Sequence, residues 1–172
     1  MLAREDALGA LREAGCSGGV MEHCVDVARI ASKIAHCFRE KGVEVDLALV
    51  EAGALLHDLG RARTHSIRHG VVGGEMAREL GLPEPVVRII ERHIGAGIPC
   101  EEAAELGLPD GRYVPETVEE RIVAYADKLV EGGREVEFSV TLEWYIRKHG
   151  EGSPVVERLR ALHEGMAEVI GG

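Results

Sequence analysis

LALVEAGALLHDLGR, residues 47–61, decides how the chain is read. Asp46 ahead of it is a good N-cap, and Gly60 is a good stop, so the spacing predicts a helix between them. Its inward stripe is Leu47, Val50, Ala54, His57 and Asp58. Gly53-Ala54-Leu55-Leu56 is the most apolar stretch of the chain, yet it runs directly into an imidazole and a carboxylate. A buried carboxylate without partners costs several kcal/mol, and a buried imidazole also needs partners. The helix therefore carries a polar pair that something else must satisfy.

Working outward, the 3.6-residue period continues on both sides and no alternating strand stands out. Helices are expected at about 2–14, 19–41, 69–80 and 83–93. A long loop at 95–115 with a short helical piece at 101–106 follows. The capping box Thr117/Glu120 opens another helix, which Gly132-Gly133 breaks. Two more are expected at 139–148 and 154–170. The fold class is all-α, a bundle of about seven to nine helices. One domain is expected over 1–172, its core at about 18–132 and the helices of 139–170 packed on it.

The same conflict recurs elsewhere. His23 shares a face with Val27, Ile30 and Ile34; His93 shares one with Val86 and Ile90; Asp127 lies between Val123 and Val130. One such histidine is ordinarily a hydrogen-bonded core residue, and one such aspartate a cap or a surface charge. His23, His57, Asp58, His93 and Asp127 together, on four core-facing stripes, form a mixed nitrogen and oxygen ligand set for a divalent transition metal.

Composition bounds the rest. The chain has 172 residues, 45% hydrophobic and 29% charged, which is ordinary for a globular protein. Aromatics are only 3%, so the core is built from aliphatic residues. A net charge of −10 disfavours a protein that coats duplex nucleic acid or an anionic membrane surface. None of the 4 cysteines forms a CxxC pair, no apolar run spans a bilayer, and the first residues do not read as a signal peptide. A cytoplasmic protein is expected.

GALLHDLGR at 53–61 and AYADKLVEG at 124–132, in the order His23 … His57-Asp58 … Asp127, resemble the HD-domain metal-dependent phosphohydrolase superfamily over roughly 18–132. His69 in RHGVVGGEMA and His93 in ERHIGAG fall where binuclear members carry two further ligands. The pattern is especially similar to the bacterial HD family that symmetrically cleaves diadenosine tetraphosphate. The GYP signature of HD-GYP phosphodiesterases is absent.

The resemblance implies that His23, His57, Asp58 and Asp127 bind one metal, and that Asp58 bridges to a second, completed by His69 and His93. It implies two divalent ions (Fe, Mn, Ni, Co or Zn) and a metal-bound hydroxide that attacks phosphorus in a nucleotide or other small phosphoanhydride or phosphodiester. Asp58, Arg61 and Lys128 become the catalytic candidates. Where the family often has Lys after HD, Arg61 stands as a phosphate clamp, or as a plain helix-end arginine. His65 shares its loop. Lys128 either touches phosphate or neutralises the site. Gly95 and Gly97 either open backbone N–H groups to an anion or merely stop a helix. A mononuclear nucleoside 5′-monophosphatase and a catalytically silent nucleotide-sensing module are the alternatives. Homodimerisation stays open. Selectivity is expected to come from the 95–115 loop and the C-terminal helices.

Overall fold

A computed structural model describes residues 2–171. Its elements in chain order are α1 (Arg4–Ala14), α2 (Gly18–Glu40), α3 (Leu47–Leu56), a 3-10 turn (Leu59–Ala62), α4 (His69–Glu79), α5 (Glu84–Arg92), α6 (Cys100–Glu105) and α7 (Val118–Asp127). A hairpin of β1 (Val130–Glu131) and β2 (Arg134–Glu135) follows, then α8 (Phe138–His149) and α9 (Pro154–Gly171). The fold is an all-α bundle with nine α-helices among the described residues.

The caps expected from the sequence form. Asp46 accepts from the N–H groups of Ala48 and Leu49. Ser17, not singled out in the sequence, caps α2 by accepting from Val20. Thr117 and Glu120 close a reciprocal capping box on α7. Two boundaries differ from expectation. The helix after Asp46 ends at Leu56 rather than Gly60, and the chain tightens into the 3-10 turn. The helix through Asp127 does not run on to the glycines; Gly132-Gly133, with φ of +56° and +75°, makes the two-residue turn of an antiparallel hairpin. Each strand has only two residues, too short to show a period.

α2 packs along α3 and α7, α5 crosses α3 and α7, and α4 lies on α5 and the 3-10 turn. The core they enclose is aliphatic, with Val27, Leu55, Leu56, Ile89, Ile90 and Ile122 fully buried. α9 packs on α7 and α2 and carries α8 with it. Two approaches need glycine. A Cβ on Gly60 would stand 2.0 Å from the His69 carbonyl oxygen and 2.6 Å from the Gly73 nitrogen. Gly73 in turn meets Gly60 and Ile90. The His69-Gly70-x-x-Gly73 run thus lets α4 press its backbone against the turn that follows His57-Asp58. Among the described residues no helix is long and apolar enough to cross a membrane.

Candidate metal centre

Six side chains from five segments converge. His23 comes from α2, His57 and Asp58 from the end of α3, His69 from the start of α4, His93 from the end of α5 and Asp127 from the end of α7. Helix ends suit this task, because the chain turns there and a side chain reaches inward without disturbing the aliphatic stripe behind it.

Backbone carbonyls set the tautomers. The Nδ1 atoms of His57, His69 and His93 lie 2.7, 2.8 and 2.7 Å from the carbonyl oxygens of Ala54, Ser66 and Ile90. A carbonyl only accepts, so each Nδ1 carries the hydrogen and each Nε2 presents its lone pair to the centre. Nε2 of His57 is fully buried with no hydrogen-bond partner. Asp127 Oδ1 lies 3.5 Å from it, an electrostatic contact rather than a hydrogen bond. The Nε2 atoms of His69 and His93 face each other at 3.1 Å. Two lone pairs at that distance repel unless a cation or a proton lies against them. Buried polar atoms are satisfied in the great majority of cases, so this donor set fits a metal ion.

Asp58 divides the cluster. Its Oδ2 lies 3.9 Å from His23 Nε2 and 3.8 Å from His57 Nε2. Its Oδ1 lies 3.2 Å from His69 Nε2 and 3.6 Å from His93 Nε2. Asp127 Oδ1 joins the first side, 2.9 Å from His23 Nε2. Ligand atoms of His23, His57 and Asp58 lie within 4.8 Å of one another, as do those of His57, His93 and Asp127, and of Asp58, His69 and His93.

Charge follows the geometry. Burial opposes ionisation of Asp58, but His57 beside it, with His69 and His93 at its other oxygen, holds its carboxyl far below the usual carboxylate range. Asp127 is likewise held low against burial, chiefly by Lys128. Burial disfavours a charged His57, yet Asp58, Cys24 and Asp127 together outweigh it and raise the imidazole well above its ordinary value. His93 is pushed down to about 4 by burial, with His57 and His69 adding to the effect. Cys24, next to His23 in the chain, is buried and adds to the upward shift of His57.

The sequence profile of the HD domain matches residues 20–131. The chain belongs to the HD domain family. It is 48% identical over 166 residues to an uncharacterized protein of Methanocaldococcus jannaschii, covering 96% of this chain and 98% of that one. It is 42% identical to a tRNA (cytidine(56)-2′-O)-methyltransferase of Thermoplasma volcanium over 97% of this chain, but spans only 47% of that protein. A ribonuclease Y of Acidothermus cellulolyticus is 30% identical, with 28% of its length covered. Among solved structures, the HD domain of the Listeria monocytogenes phosphodiesterase PgpH in complex with cyclic-di-AMP superposes with a TM-score of 0.54 at 19% identity, covering 96% of this chain and 97% of that one. At that identity the likeness is one of fold.

Around the cluster of this HD domain, the other expected residues divide. Arg61 turns inward: its Nε donates to Asp58 Oδ2 at 3.0 Å. That disfavours the helix-end reading. Lys128 is buried with its ammonium on Asp127 Oδ2, the neutralising one of its two readings. His65 is exposed and lies apart from the cluster, although its carbonyl accepts from Arg61. Gly95 and Gly97 both have positive φ, +59° and +98°. Gly97 donates its N–H to Ile94, and a Cβ there would stand 2.7 Å from Val114 Cα, so packing accounts for it without an anion.

A cavity of about 390 Å³ opens from His69 and Arg61, with His65, Gly95 and Gly97 in its wall. Its far side is α8, which contributes Trp144, Tyr145, Lys148 and His149. The sequence pointed to the C-terminal helices for selectivity but singled out none of these four residues. The usable signal was the single Trp of the chain with a lysine four residues and a histidine five residues after it.

Proposed function

We propose that this HD domain is a two-metal phosphohydrolase that cleaves a phosphodiester or phosphoanhydride bond of a nucleotide. The observation that carries the reading is the split of Asp58, with one oxygen toward His23 and His57 and the other toward His69 and His93. One carboxylate shared by two imidazole sets is the donor arrangement of a bridging ligand. His23, His57, Asp58 and Asp127 would hold one ion, and Asp58, His69 and His93 the other. Ions held there supply an activated water and polarise the phosphoryl oxygens. Nitrogen-rich ligation suits Fe, Mn, Ni, Co or Zn.

The chain's own residues do the rest. The carbonyl bonds at Nδ1 fix three imidazoles. Lys128 is a positioning residue that holds Asp127 Oδ2 and leaves Oδ1 facing the ligands. Arg61, beside Asp58 and partly exposed, receives a phosphate oxygen with its free guanidinium edge. His65 and Gly95 line the path of the phosphate. All six ligand positions are filled, which argues against a silent sensor, and two extra histidines argue against the mononuclear monophosphatase. A ribonuclease Y among the relatives favours a second substrate class, the phosphodiester of RNA.

Protein loaded with Mn²⁺ or Fe²⁺ is assayed against nucleoside monophosphates, diadenosine tetraphosphate, cyclic dinucleotides and a short oligoribonucleotide, with metal content measured in parallel. Turnover of a diester or anhydride with two ions per chain is expected. One ion at saturation with monophosphate turnover would move the chain to the mononuclear type. No turnover of any of them would overturn the reading.

A further inference from the structure

Six large apolar side chains are exposed among the described residues, and three of them, Ile67, Leu106 and Trp144, line the cavity that opens from the His69 side of the metal cluster. They come from the segment before α4, from the segment after α6 and from α8. Apolar surface gathered from distant parts of a chain at one concave site marks a binding surface rather than chance exposure.

The platform is held in place. The indole of Trp144 is 46% exposed, yet Tyr145 meets it edge to face at 4.9 Å. Tyr145 is itself stacked with His149 at 5.8 Å. Lys148 Nζ lies 4.6 Å from the Trp144 ring centroid. The cavity also holds Arg61 at its inner end. Its one acid, Glu102, is neutralised by Arg158 at 2.6 Å. A chain of net charge −10 thus concentrates positive charge where the apolar wall is. The volume of about 390 Å³ stands at the small end of ligand sites and has room for one base with its ribose.

We infer that this cavity is the nucleoside subsite of the phosphohydrolase proposed above, with the base stacked on Trp144 and the phosphate drawn between Lys148 and Arg61 toward Asp58. The inference rests on that reading for the position of the phosphate. The occupant is a single nucleoside: its flat π-face matches the indole, its anionic end matches Lys148 and Arg61, and the ribose lies between Ile67 and Ile94. Stacking does not distinguish one base from another, so the subsite selects for a base without specifying which.

Trp144 is the only tryptophan, so its fluorescence reports the subsite directly. Metal-loaded protein is titrated with adenosine 5′-methylenediphosphonate, whose P–C–P bridge resists hydrolysis, and with base-free methylenediphosphonate. Saturable quenching by the first and not by the second is expected. Calorimetry then compares variants. Trp144→Ala should weaken the nucleotide about five- to one-hundred-and-fifty-fold, the span of one base–aromatic stack. Trp144→Phe should weaken it less. In both, the preference for the nucleotide over the base-free compound should shrink with no change in bound metal. Equal quenching by the two compounds, or wild-type affinity in Trp144→Ala, would overturn the subsite. So would a wild-type mass by light scattering that is twice that of Trp144→Ala, because the patch would then belong to a second copy. Failure of the phosphohydrolase reading looks different: no bond of any substrate is cleaved, whatever the quenching shows.

Discussion

Asp58 is the residue on which the site turns. It faces four imidazoles and one guanidinium, so no other substitution removes as many contacts at once. Asp58→Ala is expected to lose both ions and all turnover. Asp58→Asn, nearly the same in shape, should do the same, because an amide does not supply two anionic oxygens. Metal analysis beside a phosphate-release assay checks both, and two ions with full activity in either variant would remove Asp58 from its bridging role. Arg61 gives a finer test. One charge-assisted contact to phosphate is worth about 1.5–3 kcal/mol, so Arg61→Ala should lower kcat/KM roughly ten- to more than a hundredfold with the metals retained. Arg61→Lys should recover part of that loss, because the charge survives and the planar fork does not. A shifted thermal melt with unaltered kinetics would make Arg61 structural.

At the scale of elements, what the sequence revealed and what it hid have separate causes. Helix starts with side-chain caps were legible nearly to the residue, because Asp46 and Thr117 act locally. The end of α3 was not. Gly60 reads as a helix stop, but its smallness serves a contact with His69 and Gly73, nine and more residues away. That contact carries a prediction. In Gly60→Ala a methyl would stand 2.0 Å from the His69 carbonyl, so α4 must move and take His69 with it. Overpacking of this kind costs about 1–3 kcal/mol. The variant should melt earlier and lose preferentially the ion on the His69 and His93 side, read as a fall from two ions per chain toward one. Unchanged metal content would show that α4 yields without moving the ligand. The buried end of α7 is a second case. Glu120 accepts from Arg92 and closes the capping box, so Glu120→Ala loses a cap worth about 1 kcal/mol and a charged hydrogen bond worth about 1.5–3. A denaturant titration reads that loss directly.

For the whole molecule, the ligand set was legible because each ligand contradicts its own apolar stripe, and such conflicts mark functional sites. Of the nucleoside cavity only the segments were legible, the 95–115 loop and the C-terminal helices; its residues were not, because Trp144, Ile67 and Leu106 contradict nothing locally and meet only in three dimensions. The same polar core ties folding to the metal. His57 keeps an unpartnered Nε2 beside two carboxylates, so in metal-free protein a proton must serve in place of the ion. Its folded pKa lies above the ordinary value of about 6.5, which means its contribution to stability is complete below pH 6.5 and lost as pH rises through the folded value. His93, pushed down to about 4, acts oppositely and only below 6.5, so it does not interfere above that pH. Chelated protein should therefore lose stability from pH 6.5 upward. Metal-loaded protein should not, because binding needs deprotonated imidazoles and strengthens as pH rises. An ion at a hundred times its Kd adds about 2.7 kcal/mol, or roughly 5–10 °C in Tm for a chain of this size. Thermal melts at pH 6.5, 7.5 and 8.5, with EDTA and with Mn²⁺, should separate as pH rises. Parallel curves in the two conditions would show that the cluster satisfies itself without an ion.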